Sequence, residues 1–154
     1  MQSVLRSALR VFSSEEHIRN LLTGAWVDLV DDSGNRLVGI RGRIGAVGLT
    51  LENIELGADL IEMDAGSAFP LHTHPGDHML YVIRGRGLVH VDGRDYPVVS
   101  GDSIFVPADY PHGVKTYADS VESFCFLAVG HPHKHLSSPE RMIVVKPVSE
   151  ESGT

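Results

Sequence analysis

Gly66-Ser67-Ala68-Phe69-Pro70-Leu71-His72-Thr73-His74-Pro75-Gly76-Asp77-His78 places three histidines close together around one turn. Alternate residues of an extended chain face the same side, so His72 and His74 point together. Pro75-Gly76 then turns the chain, and His78 opens the next strand. Asp77 has the opposite parity to His78 and faces away from it. Further on, His112 follows Pro111 on a turn that opens another strand. Three or four imidazoles converging inside a barrel would chelate a transition metal.

Outward from this stretch the chain reads as short strands. Residues 26–30 and 36–40 flank the turn Asp31-Asp32-Ser33-Gly34-Asn35, the pattern of a hairpin. Strands are expected over 56–64, 78–84, 87–91, 96–99, 103–106, 114–117 and 121–129, with Asp92-Gly93 as a tight hairpin turn. Many short strands separated by turn signals suggest a sandwich or barrel. Before them, Leu5, Leu9 and Phe12 lie at helical spacing. A second helix is marked by Ser13 and Glu16 as a capping box and by Gly24 as a stop. The expected organisation is a helical segment over residues 1–24, one barrel over 25–146 and a flexible polar tail over 147–154.

Two spacings carry a family resemblance. The first is Gly66, five residues, His72-Thr73-His74, three residues, His78, six residues and Gly85. The second is Gly101, five residues, Pro107, then Tyr110-Pro111-His112. In this order they resemble the two signature motifs of the cupin superfamily, over about half the chain. The resemblance implies an all-β fold, the double-stranded β-helix or jelly-roll cupin barrel. It also implies one divalent metal on His72, His74, His78 and His112.

The chain departs from the family pattern at three places. The first motif usually has Glu where His78 stands. The second usually has Gly where Asp109 stands and Asn where Thr116 stands. Replacing a carboxylate by imidazole removes one negative charge beside the metal, which favours an anionic substrate and stronger Lewis acidity. His78 is either a fourth ligand or a group that orients the other three, and in the second case a three-histidine site remains. Nitrogen shells suit iron(II), zinc or nickel, with manganese(II) a further option; the resemblance favours iron(II).

Fold does not determine the chemistry. The leading expectation is a non-haem iron(II) dioxygenase acting on a small oxygenated molecule, such as a dicarbonyl, a phenolic ketone or a polyphenol. Alternatives are a redox-neutral zinc or nickel cyclase, isomerase or lyase, and a non-catalytic binding module. The redox-neutral route needs a general base, for which Tyr110, Glu62 and an unligated His78 are the candidates.

Composition narrows the partners. A formal net charge of −7 with scattered Arg argues against nucleic acid. No run approaches the ~20 apolar residues of a membrane span. The single Cys125, within Phe124-Cys125-Phe126-Leu127, reads as a buried thiol and gives no sign of an oxidising compartment, so a cytoplasmic location is expected. A homodimer is expected, because the apolar face of the second helix has no obvious partner on a closed barrel. His131, His133 and His135 read as a polar loop leaving the last strand, although in extended chain all three would face one way and suit a second metal or a lid. His90 is expected on the outer face of its strand, and Tyr81, of opposite parity to His78, in packing. Arg84 shares the parity of His78, but it precedes a Gly turn, where facing solvent is commoner.

Overall fold

The computed structural model describes residues 11–31, 33–52, 55–73, 76–108 and 110–130, together with the backbone of 143–144. Leu5, Leu9, His74, Asp109, His131, His133, His135 and the tail expected over 147–154 lie outside the described residues.

One helix, α1 (Ser14–His17), precedes eleven strands among the described residues. They are β1 (Val27–Val30), β2 (Arg36–Leu49), β3 (Glu55–Met63), β4 (His72–Thr73), β5 (His78–Arg84) and β6 (Arg86–Val91). β7 (Arg94–Val99), β8 (Ser103–Val106), β9 (His112–Lys115), β10 (Phe124–Gly130) and β11 (Ile143–Val144) complete the set. They form two antiparallel sheets, one in the order β1-β2-β3-β10-β5-β8 and the other β11-β4-β9-β6-β7. This is the all-β barrel that the sequence predicts.

The core lies between the sheets and follows period-two alternation. Ile61 and Met63 of β3, Leu80 and Val82 of β5, and Phe124 and Phe126 of β10 face Val89, Val98 and Val114 of the other sheet. At roughly 25 cal/mol per Å² of buried apolar surface, each of these side chains contributes about 1.5–3 kcal/mol. One carboxylate shares this face. Asp59 is fully buried, two residues before Ile61. Its Oδ1 accepts the Gly45 N–H at 3.1 Å, and its Oδ2 has no hydrogen-bond partner among the described residues. Burial pushes its pKa up to about 6, against the opposing effects of the Gly45 N–H and the Arg19 charge.

Two irregularities change the expected pattern. β2 runs unbroken to Leu49 instead of stopping near Ile40, with a register shift between Ile44 and Val47 that lets Gly45 reach Asp59. The second helix is shorter than expected and ends at His17, with Ile18 already extended. The Ser13 side chain makes no cap; its N–H goes to His17 Nδ1 at 2.9 Å. Downstream, the Asn20 side chain takes the Leu22 N–H at 2.8 Å, a local bond that competes with helix continuation. Ile18 and Leu22 are exposed, while the Leu21 carbonyl accepts from Arg43 of β2 at 3.2 Å. Among the described residues no helix is long and apolar enough to cross a membrane.

Candidate metal centre

β4 and β9 meet at one pair, His72 opposite His112. Both rings are buried, with 6% and 3% of their surface exposed, and their centroids are 4.3 Å apart. Each is anchored in the same way. His72 Nδ1 lies 2.7 Å from the Pro70 carbonyl, and His112 Nδ1 lies 2.7 Å from the Tyr110 carbonyl. A carbonyl only accepts, so Nδ1 carries the proton in both rings. Each Nε2 is then left with its lone pair, the tautomer a metal ligand requires. Burial pulls the His112 pKa down and so favours the neutral ring, while the Tyr110 carbonyl opposes that shift.

His78 comes from the other sheet. It faces inward with Leu80 and Val82 and sits half-buried opposite Gly130. Its Nε2 lies 3.1 Å from His112 Nε2, with the ring centroids 4.9 Å apart. Two cis ligands of one ion at about 2.1 Å would stand about 3 Å apart. The donor set therefore fits a divalent ion on two neighbouring corners, with His72 beside them. Among the described residues no three donor side chains close into a complete metal-holding set. The fourth histidine of the expected set, His74, lies outside the described residues.

Polar bonds tie the two histidine-bearing stretches together. Asp77 Oδ1 accepts the Ala108 N–H at 2.7 Å, linking the start of β5 to the turn before His112. The Thr116 hydroxyl donates to the Asp64 carbonyl at 2.8 Å and accepts the Ser67 N–H at 3.0 Å. Thr116 therefore clamps the Gly66 turn that leads into β4, a role the sequence reading does not find.

Several expected candidates sit elsewhere. Glu62 is not at the histidines, and this corrects its reading as a general base. Its neighbours Ile61 and Met63 point into the core, so Glu62 points out, where it pairs with Arg41 and lies 3.6 Å from Arg84. Arg84 is on that outer face because β5 carries an extra residue. Phe126 pairs with Val82 but Cys125 pairs with Arg84, and this bulge reverses the parity set by His78. Cys125 is buried between Glu62 and Arg84 in the register, and burial pushes its thiol pKa up. Tyr110 contributes its carbonyl to His112, while its side chain is half-exposed. Tyr81 is half-exposed on the outer face and is not packed in the core. His90 is on the outer face as expected, 2.7 Å from Asp95, which also holds Lys115 at 2.8 Å.

A mainly apolar groove of about 370 Å³ runs past Val47, Leu49, Leu56, Ala58, Val129 and His17. Among the described residues, none of His72, His78 and His112 lines it.

Comparison with known proteins agrees with this fold. Residues 59–130 match the family described as a cupin domain. A quercetin 2,3-dioxygenase from Bacillus subtilis is 28% identical over 91 residues, which are 52% of this chain and 27% of that protein. The dimethylsulfoniopropionate lyase DddQ from Ruegeria pomeroyi is 30% identical over 63 residues, 40% of this chain and 31% of that one. The matched stretch thus spans about a third or less of either enzyme. An RmlC-like cupin from Shewanella frigidimarina superimposes with a TM-score of 0.59 at 26% identity, covering 76% of this chain and 91% of that one.

Proposed function

Because the chain belongs to the cupin superfamily, we propose that it is a metal-dependent enzyme, a non-haem iron(II) dioxygenase acting on a small dicarbonyl, phenolic ketone or polyphenol. The observation that carries this reading is the convergence of His78 Nε2 on His112 Nε2 at 3.1 Å beside His72, with two of the three rings anchored through Nδ1. His72, His74, His78 and His112 would hold the ion. Bound there, iron(II) supplies Lewis acidity and one-electron chemistry toward dioxygen. The similarity to a quercetin 2,3-dioxygenase supports a phenolic substrate.

The chain's own residues shape what can react there. The Pro70 and Tyr110 carbonyls hold the two rings in one tautomer. Phe69, whose ring centroid is 6.3 Å from that of His72, and Val91, which pairs with His112, put apolar surface beside them and exclude water. The three described imidazoles bring no negative charge, so a substrate that binds as an anion supplies the balance.

A redox-neutral lyase or cyclase on zinc or nickel is the second reading, supported by the similarity to a dimethylsulfoniopropionate lyase. Metal analysis of protein purified without added metal, followed by oxygen uptake with a panel of dicarbonyls and phenols, separates the two. Iron content with substrate-dependent oxygen uptake is the expected result. Product formation by the zinc protein without oxygen uptake would establish the second reading instead. A homodimer and a cytoplasmic location complete the proposal, the latter in keeping with the single buried thiol of Cys125.

A further inference from the structure

The sheet that carries His72 and His112 also carries a cation on the same face. Directly opposed residues of antiparallel strands share a face. His72 pairs with His112, His112 with Val91, and Val91 with Arg94. One row therefore runs His72–His112–Val91–Arg94 across β4, β9, β6 and β7. The next row runs Val114–Val89–Tyr96. The opposite face of these strands is identified independently by the His90–Asp95 and Asp95–Lys115 bonds, so the assignment does not rest on parity alone. Arg94 lies two strand spacings, about 10 Å, from His112.

Arg94 is held where it is. It closes the two-residue turn Asp92-Gly93, both residues at positive φ, as a tight hairpin requires. The Asp92 N–H donates to the Pro111 carbonyl at 3.1 Å, which ties the hairpin to the residue before His112. The side chain, by contrast, is unclaimed. Arg19, Arg36, Arg41, Arg84, Arg86 and Lys115 each have an acidic partner, and Arg43 stacks on Trp26. Arg94 alone among the basic side chains of the described residues has no acidic, aromatic or carbonyl partner. Tyr96, half-exposed in the adjoining row, likewise has no hydrogen-bond partner for its hydroxyl among the described residues.

The geometry points to Arg94, assisted by Tyr96, as the subsite for a carboxylate at the far end of the substrate. The face offers nitrogen donors at one end, the partly buried apolar side chain of Val91 in the middle, and an unpaired guanidinium with a hydroxyl at the other. Its complement is a small molecule with a chelating head, a short apolar or aromatic body and an anionic tail. A planar guanidinium binds a carboxylate through two parallel hydrogen bonds, which adds direction as well as charge. The inference rests on the histidine cluster being a chelating metal site.

Calorimetry on nickel(II)-loaded protein under nitrogen tests it, with catechol and 3,4-dihydroxybenzoate as probes that share a chelating head and differ in the carboxylate. The wild type should prefer 3,4-dihydroxybenzoate by about tenfold or more. Arg94→Gln should reduce that preference to about threefold or less and leave catechol affinity and nickel content unchanged. Tyr96→Phe should remove a smaller part of it. Equal affinities in the wild type, or a preference that survives in Arg94→Gln, would overturn the subsite while leaving the metal site standing. Failure of catechol itself to bind the nickel-loaded protein would remove the chelating reading and the subsite with it.

Discussion

His78 Nε2 stands 3.1 Å from His112 Nε2 across a gap of 34 residues in sequence, one ring from each sheet. With the His112 proton held on Nδ1 by Tyr110, the Nε2 lone pair of His112 faces a second imidazole nitrogen. A proton on His78 Nε2 bridges the two nitrogens as a hydrogen bond, and one cation shared between the two rings would take its place. Removing either ring should therefore cost the same ion. His78→Ala and His112→Ala are expected to fold and to lose metal affinity by about a hundredfold or more at equal free metal. Undiminished affinity in His78→Ala would take His78 out of the ligand set and leave a three-histidine site.

Gly130 tests the same site through sterics. A Cβ at this position would stand 2.4 Å from His78 Cβ and 2.8 Å from the Asp77 carbonyl. Gly130→Ala should push the start of β5 away from β10, costing about 1–3 kcal/mol and weakening metal binding by about tenfold or more. Denaturant midpoints and metal titration read the two effects separately. A stable variant with normal metal affinity would show that His78 tolerates displacement.

Asp59 should make stability depend on pH. Its pKa is raised from 3.8 to about 6 by burial, so ionisation costs the folded state up to about 3 kcal/mol. Stability is whole below about pH 4 and is lost as the pH rises toward and through about 6. Asp59→Asn, measured against wild type by urea unfolding, should gain up to about 3 kcal/mol near pH 8 and almost nothing near pH 4. An equal difference at both pH values would mean that Asp59 titrates at its ordinary pKa.

Glu62→Gln should leave metal content and turnover unchanged. The side chain pairs with Arg41 and Arg84 on the outer face, so the loss falls on stability, by about 1 kcal/mol. A drop in turnover without a change in stability would return Glu62 to the reaction.

The expected homodimer is read by light scattering. Phe12, Ile18 and Leu22 of the N-terminal segment are exposed in the single chain, apolar surface that a second copy would cover. A mass of twice the chain at micromolar concentration is expected, and a monomer mass would refute it.

The sequence by itself determines the barrel, the core face of most strands and the identity of the histidines. Those features are written in local periodicity and in Gly and Pro turns, and they survive wherever the strand is regular. His72 and His78 face inward, as their parity requires, and His90 faces outward. Where a strand is irregular, parity misleads. One extra residue in β5 turns Arg84 to the outer face, and the bulge in β2 brings the Gly45 N–H onto Asp59. Three things were decided only by tertiary structure: the Nδ1 anchoring of two rings, the approach of His78 to His112, and the row that lines Arg94 up with them. Each depends on which strands pair and in what register. Register is set by packing between residues far apart in the chain, and no local window of sequence contains it.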